Sequence, residues 1–275
     1  MAKVVEDTAR AARELVHYEE RGGVALLTLD DPPANTYTYE MMQQLDAAIL
    51  RARMADHISV LVLVGAGEKF FSAGANIQML SSVTPQFKYY FCLHANETLN
   101  RLEQTPKLVI AALNGHTVGG GLEIAMAADI RIARRGGGKI GLPEVNLGVL
   151  PGTGGTQRLA RLVGKARAIE LMATGRTFEF DEALELGIVH DIYDADSRDA
   201  FLEKVLDYAN QFTPPNRAAK AVGHIKRAVQ TGAELPIGEA LAVERELQQL
   251  LFQSDDASEG LNAYVEKRKP EFKGR

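Results

Sequence analysis

Near-continuous apolar runs constrain this chain most. Val24-Ala25-Leu26-Leu27-Thr28-Leu29 and Ile58-Ser59-Val60-Leu61-Val62-Leu63-Val64 carry almost no polar position. A strand with one wet face alternates, whereas a strand covered on both faces reads as an unbroken apolar run. Residues 15–20 and 23–30 are therefore expected to be two strands joined at Arg21-Gly22. The run 58–64 is expected to be a further buried strand. Between them, Asp31-Pro32-Pro33-Ala34-Asn35 breaks the chain. Met41, Met42, Leu45, Ala48 and Ile49 then recur at helical spacing, which predicts an amphipathic helix over 38–54.

The same order repeats downstream. A strand is expected over 107–113, then a Gly-rich turn, a helix over 120–128 and a strand over 129–133. Another helix should begin near Gly154. A helix over 179–186 should lead into a short strand, Ile188-Val189-His190. Strands alternating with helices imply β-α crossover units. After about residue 195 the strand signal stops. Helices are expected over 196–212, 215–231, 236–252 and 255–267, punctuated by Pro214, Pro215, Pro236 and Pro270. The division expected is a charged leader over 1–13, an α/β core over 14–195 and a helical region over 196–275. In the last, Leu241, Val243, Leu247, Leu250 and Leu251 offer more apolar surface than a lone end helix needs.

A chain of 275 residues can bury a large core without covalent staples. With 31 Lys and Arg against 36 Asp and Glu, the net charge of -5 argues against a dedicated nucleic-acid binder. The single cysteine, Cys92, allows no intramolecular disulfide and suits a reducing compartment. There is no apolar stretch of transmembrane length and no apolar segment of secretory type at the start. A cytoplasmic protein with no membrane partner is the expectation.

Common catalytic signatures are missing. There is no HExxH, no CxxC, no GxSxG and no Walker A motif. The histidines, at 17, 57, 94, 116, 190 and 224, show no metal-ligand spacing, so no metal is expected. Gly152-Thr153-Gly154-Gly155-Thr156 is a weak dinucleotide signal, since it lacks the third glycine at the right spacing and a strong preceding strand. Three Gly-rich junctions with acids nearby remain. The first is Lys69-Phe70-Phe71-Ser72-Ala73-Gly74-Ala75-Asn76-Ile77, where small residues let a backbone approach a ligand. The second is Gly119-Gly120-Gly121-Leu122-Glu123, where free N–H groups at a helix start can stabilise developing negative charge. The third is Gly141-Leu142-Pro143-Glu144-Val145-Asn146-Leu147-Gly148, where an apolar setting can raise a carboxyl pKa. Read singly, each is as well explained by a packing turn or a surface acid. Together they point to a site.

At these segments the sequence resembles the enoyl-CoA hydratase/isomerase, or crotonase, superfamily. Phe71-Ser72-Ala73-Gly74-Ala75-Asn76-Ile77 is similar to the family's F-x-A-G-A-D-I loop. The run from Gly119 to Asp129 is similar to G-G-G-x-E-L-A-x-x-C-D. The run from Pro143 to Leu159 is similar to P-E-x-x-L-G-x-x-P-G-x-G-G-T-Q-R-L. The likeness covers about 15–270. It implies a crotonase-like α/β spiral of β-β-α units, followed by a C-terminal helical region that serves trimerisation and covers the active site. It implies a homo-oligomer, a trimer or a dimer of trimers. It implies an acyl-CoA thioester substrate and no separate cofactor, since coenzyme A belongs to the substrate.

Carried over position by position, the resemblance makes the backbone N–H groups of Ala75 and Gly120 an oxyanion hole. It makes Glu123 the base that positions and deprotonates water, and Glu144 the donor of a proton to C2. Ala75, Asn76, Ile77, Gln78 and Gly120 would line the substrate and CoA site. Lys267 and Lys269 are candidates for the 3'-phosphate. Asn76 departs from the family's Asp, Ala34-Asn35-Thr36 from its N-A-L/M, and Gln78-Met79-Leu80 from its K-E-M ending. The reaction expected is hydration of trans-2-enoyl-CoA to 3-hydroxyacyl-CoA. Isomerisation, dehydration, hydrolysis and decarboxylation of acyl-CoA are the nearest alternatives, and two carboxylates favour hydration over an isomerisation that one can serve. An RNA-binding homologue would need a Lys-rich helix, but the helix over 84–101 has only Lys88 and Arg101, against Glu97. A catalytically silent scaffold would not need both acids.

Overall fold

The computed structural model describes residues 13–275. The leader expected over 1–13 lies, apart from Arg13, outside the described residues. Strands β1 (Val16–Arg21) and β2 (Val24–Leu29) form an antiparallel hairpin. Its turn is Gly22-Gly23, one residue later than expected, because Arg21 still pairs with Val24 and the positive φ of 62° falls on Gly22. Helix α1 (Tyr39–Met54) follows, its first turn capped by Thr38 Oγ1, which accepts from the Met41 N–H.

Three turns of one pattern come next. The first is β3 (Val60–Gly65), β4 (Phe70–Ser72), α2 (Ile77–Ser82) and α3 (Pro85–Glu103). The second is β5 (Leu108–Leu113), β6 (His116–Val118) and α4 (Gly120–Met126). The third is β7 (Ile130–Arg134), β8 (Lys139–Gly141), a 3-10 turn (Glu144–Leu147), α5 (Gly155–Val163) and α6 (Lys165–Thr174). Strand β9 (Phe178–Glu179), α7 (Phe180–Glu185) and β10 (Asp191–Tyr193) close the strand-bearing part. Helices α8 (Arg198–Asn210), α9 (Ala219–Gly232), α10 (Ile237–Phe252) and α11 (Asp255–Glu266) complete the chain.

The long strands form one sheet in the order β1-β2-β3-β5-β7-β10, and the short ones a second in the order β4-β6-β8-β9. Strands β3, β5 and β7 of the large sheet thus each hand the chain to a short strand in the other sheet before a helix, which is the β-β-α spiral. The apolar runs explain the large sheet. Leu61 and Leu63 of β3 face α1, α3 and α4, while Val60, Val62 and Val64 face α8. Phe201, fully buried on α8, anchors that second face, and truncating it to Ala would cost about 3–5 kcal/mol.

One expectation needs correction. The strand predicted at 188–190 lies at Asp191–Tyr193. Ile188 and Val189 are buried in the turn after α7, so their apolar character reports burial and not strand pairing. The helix expected to begin near Gly154 does begin at Gly155, and a second follows it after Gly164, whose φ is 79°.

Candidate active site

Two loops are laced together beside the start of α4. The N–H of Ala73 donates to the Ala34 carbonyl at 2.9 Å, that of Tyr37 to Gly74 at 2.9 Å, and that of Asn76 to Tyr37 at 3.0 Å. Asn35 locks the first loop from inside, its Nδ2 donating to the carbonyls of Ala66 and Phe70 at 2.9 and 3.0 Å. Gly74 has φ of 89°, and a Cβ there would stand 2.7 Å from the Gly120 nitrogen. Only glycine suits that angle and that approach. The peptide leading to Ala75 therefore abuts the first residue of α4. Among the described residues, no carbonyl accepts from the N–H of Ala75 or of Gly120. Two neighbouring backbone donors are thus left without an acceptor.

Gly120 is constrained from its other side. Any Cβ at 120 would collide with the Tyr37 hydroxyl. Replacing Gly120 by Pro would therefore disturb Tyr37 as well as delete an N–H, so it cannot isolate the donor.

Glu123 sits on α4, only 2% exposed. Its Oε1 accepts two hydrogen bonds of 2.7 Å, from the N–H groups of Thr153 and Gly155. These come from Gly152-Thr153-Gly154-Gly155, the run whose spacing suits no dinucleotide. Its use is to turn two N–H groups onto one carboxylate at the start of α5. Burial pushes the Glu123 pKa up, and the donors from Gly155 and Thr153 pull against that rise.

Glu144 opens the 3-10 turn. Its Oε1 reaches the turn into α4, where a Cβ on Gly119 would stand 3.1 Å away. Its Oε2 is covered and has no hydrogen-bond partner among the described residues. Burial, and then the charge on Glu123, raise its pKa to about 7. Two carboxylates thus converge on the start of α4, one clamped by donors and one bare.

The other candidates are more varied. Asn76 caps α2, its Oδ1 accepting from the Met79 N–H at 2.9 Å while its Nδ2 donates to Thr36 Oγ1 at 3.3 Å. An Asp there would keep the cap and lose the second contact. Ile77 and Gln78 lie exposed on the first turn of α2. Lys267 and Lys269 are exposed at the end of α11, where Lys267 holds φ of 57°. Sequence reasoning missed Tyr37 and Thr153, both 2% exposed, whose hydroxyls meet at 3.0 Å beside Glu123. The only signal for Tyr37 was its position two residues after Asn35. Among the described residues, no group of three His, Cys, Asp or Glu side chains is placed to hold a metal.

Residues 19–275 match the family described as enoyl-CoA hydratase/isomerase. A short-chain-enoyl-CoA hydratase of Clostridium acetobutylicum is 38% identical over 94% of this chain and 97% of its own. A crotonyl-CoA hydratase of Syntrophomonas wolfei is 33% identical over 95% of this chain and 98% of its own. A crystal structure of an enoyl-CoA hydratase from Geobacillus kaustophilus superposes with a TM-score of 0.91 at 44% identity, covering 96% and 98% of the two chains. The β-β-α spiral, the three junction motifs and a match over nearly the whole described length make this chain a member of the enoyl-CoA hydratase/isomerase family.

Proposed function

We propose that this protein adds water reversibly across the 2,3 double bond of a trans-2-enoyl-CoA, giving the 3-hydroxyacyl-CoA. The observation that carries the proposal is the pair of acids converging on α4 in opposite surroundings. Hydration needs a base for water and an acid for carbon at one place. Glu123, with two N–H donors on its carboxylate, suits the base. Glu144, bare and raised to about 7, suits the acid. An isomerase needs only one such group, and relatives at 33% and 38% identity carry hydratase names.

In this reading the thioester oxygen lies between the N–H groups of Ala75 and Gly120. The water oxygen bonds to C3 as Glu123 takes its proton, and the π electrons shift toward the thioester. Glu144 gives its proton to C2, and the two carboxyls then re-equilibrate their proton. Donors fixed before the reaction cost no reorganisation as charge develops, and one is worth roughly 3–4 kcal/mol. Coenzyme A arrives with the substrate, its 3'-phosphate near Lys267 and Lys269, and no further cofactor takes part. The direct test is loss of the enoyl chromophore of crotonyl-CoA in the presence of the protein. Infrared spectra of a bound enoyl-CoA labelled at the thioester carbonyl test the donors without mutation. A stretch shifted down from its solution frequency supports them, and an unshifted one removes them.

The helical region is proposed to join copies of this chain. Ile237, Leu241, Leu250 and Phe252 of α10 are 75%, 43%, 47% and 62% exposed, more apolar surface than a monomer commonly leaves in water. Light scattering should give the mass of a trimer or of two trimers. A monomer at micromolar concentration would remove this part.

A further inference from the structure

Tyr37 and Thr153 have no part in the steps above, yet both are buried hydroxyls beside the proposed base. We propose that they form a donor chain, Tyr37 to Thr153 to Glu123, that keeps the Glu123 carboxylate ionised and aimed. The proposal rests on the reading of Glu123 as the water base, and it makes both hydroxyls positioning residues.

The geometry leaves the Tyr37 hydroxyl little choice. Its backbone is tied on both sides to Gly74 and Asn76. Its ring lies against Phe91, with centroids 5.8 Å apart, and its hydroxyl presses on the α-carbon side of Gly120. Thr153 Oγ1, at 3.0 Å, is its hydrogen-bond partner. Burial, and then the charge of Glu123, push the phenol's pKa well above its ordinary value, so Tyr37 keeps its proton at every working pH. A phenol is the better donor of the two hydroxyls. Once Thr153 Oγ1 accepts from Tyr37, the Thr153 proton is free for a second acceptor. That acceptor is the carboxylate that the Thr153 N–H already holds at 2.7 Å. The Thr153 hydroxyl, like the two N–H groups, lowers the Glu123 pKa against the effect of burial.

The other groups facing Glu123 are Lys88 on α3, Glu144 on the 3-10 turn and the Gly155 N–H on α5, while Cys92 on α3 bears on Tyr37. Tyr37→Phe leaves all of them in place and keeps the ring. Donors favour the charged carboxylate, so removing one raises its pKa. The low-pH limb of kcat/KM should then move to higher pH.

The test combines pH profiles with an infrared titration of the Glu123 carboxyl, its band assigned by loss in Glu123→Gln. Tyr37→Phe and Thr153→Val should each move the titration and the limb up by about one pH unit, a tenfold change in proton affinity. The double variant should move them no further, and Thr153→Ser should restore both. Tyr37→Phe titrating with wild type, or lowering kcat equally at every pH, would overturn the chain. So would a double variant shifted by the sum of the two. A shifted carboxyl titration with an unmoved rate profile would uphold the chain and overturn the base role of Glu123.

Discussion

The two carboxylates that meet at the start of α4 are the same chemical group in opposite settings. Glu123 is the more deeply buried, yet the N–H groups of Thr153 and Gly155 stabilise its charged form. Glu144 is partly open to water, yet its covered Oε2 has no hydrogen-bond partner among the described residues, and its pKa rises to about 7. Burial raises the pKa of both, and at Glu123 the N–H groups of Thr153 and Gly155 oppose that rise. Unlike surroundings of this kind can set a base apart from an acid within one site.

The largest effects come from erasing either side of this contrast. Glu123→Gln and Glu144→Gln should each lower crotonyl-CoA turnover by about 10²-fold or more, with circular dichroism unchanged. Near-normal turnover in either would break the assignment. A smaller effect is in the pH profile of the free enzyme. Glu144 must be protonated to act, so kcat/KM should fall as pH rises through about 7. In Glu123→Gln the neighbouring charge is gone and the Glu144 pKa should drop. The residual activity should therefore fall off from a lower pH, and an unmoved limb would mean that the two acids do not feel each other.

The smallest effect is on stability. The folded pKa of Glu144 lies above the ordinary value of 4.5. The folded state then binds more protons than the unfolded chain between the two values. Stability linked to this group is present below about 4.5 and is lost as pH rises through about 7. Glu144→Gln cannot ionise, so its Tm relative to wild type should climb by about 2 °C or more between about pH 5 and about pH 8. A constant difference would mean that Glu144 is not perturbed.

Much of this was legible in the residues. The runs at Val24–Leu29 and 58–64 announce strands covered on both faces, and those strands are the middle of the large sheet. The second sheet was not legible. Strands β4, β6 and β8 are three residues each and sit in Gly-rich segments, too short for any period to register. The acids were visible because each follows glycines in an apolar setting. Their opposite surroundings were not, since the clamp on Glu123 comes from 30 and 32 residues away. Tyr37 is placed at Gly120 and Thr153 by loop pairing that leaves no local pattern, which is why its hydroxyl escaped notice.

Hydration in this site turns on one step above all, delivery of the proton to C2 by the bare carboxyl, Glu144. Exchange of the C2 proton of butyryl-CoA with deuterated solvent, followed by NMR, isolates that transfer from water addition. Wild type should exchange, and Glu144→Gln should lose exchange by about 10²-fold or more while still binding the thioester. A folded Glu144→Gln protein that exchanges C2 at the wild-type rate would contradict the claim.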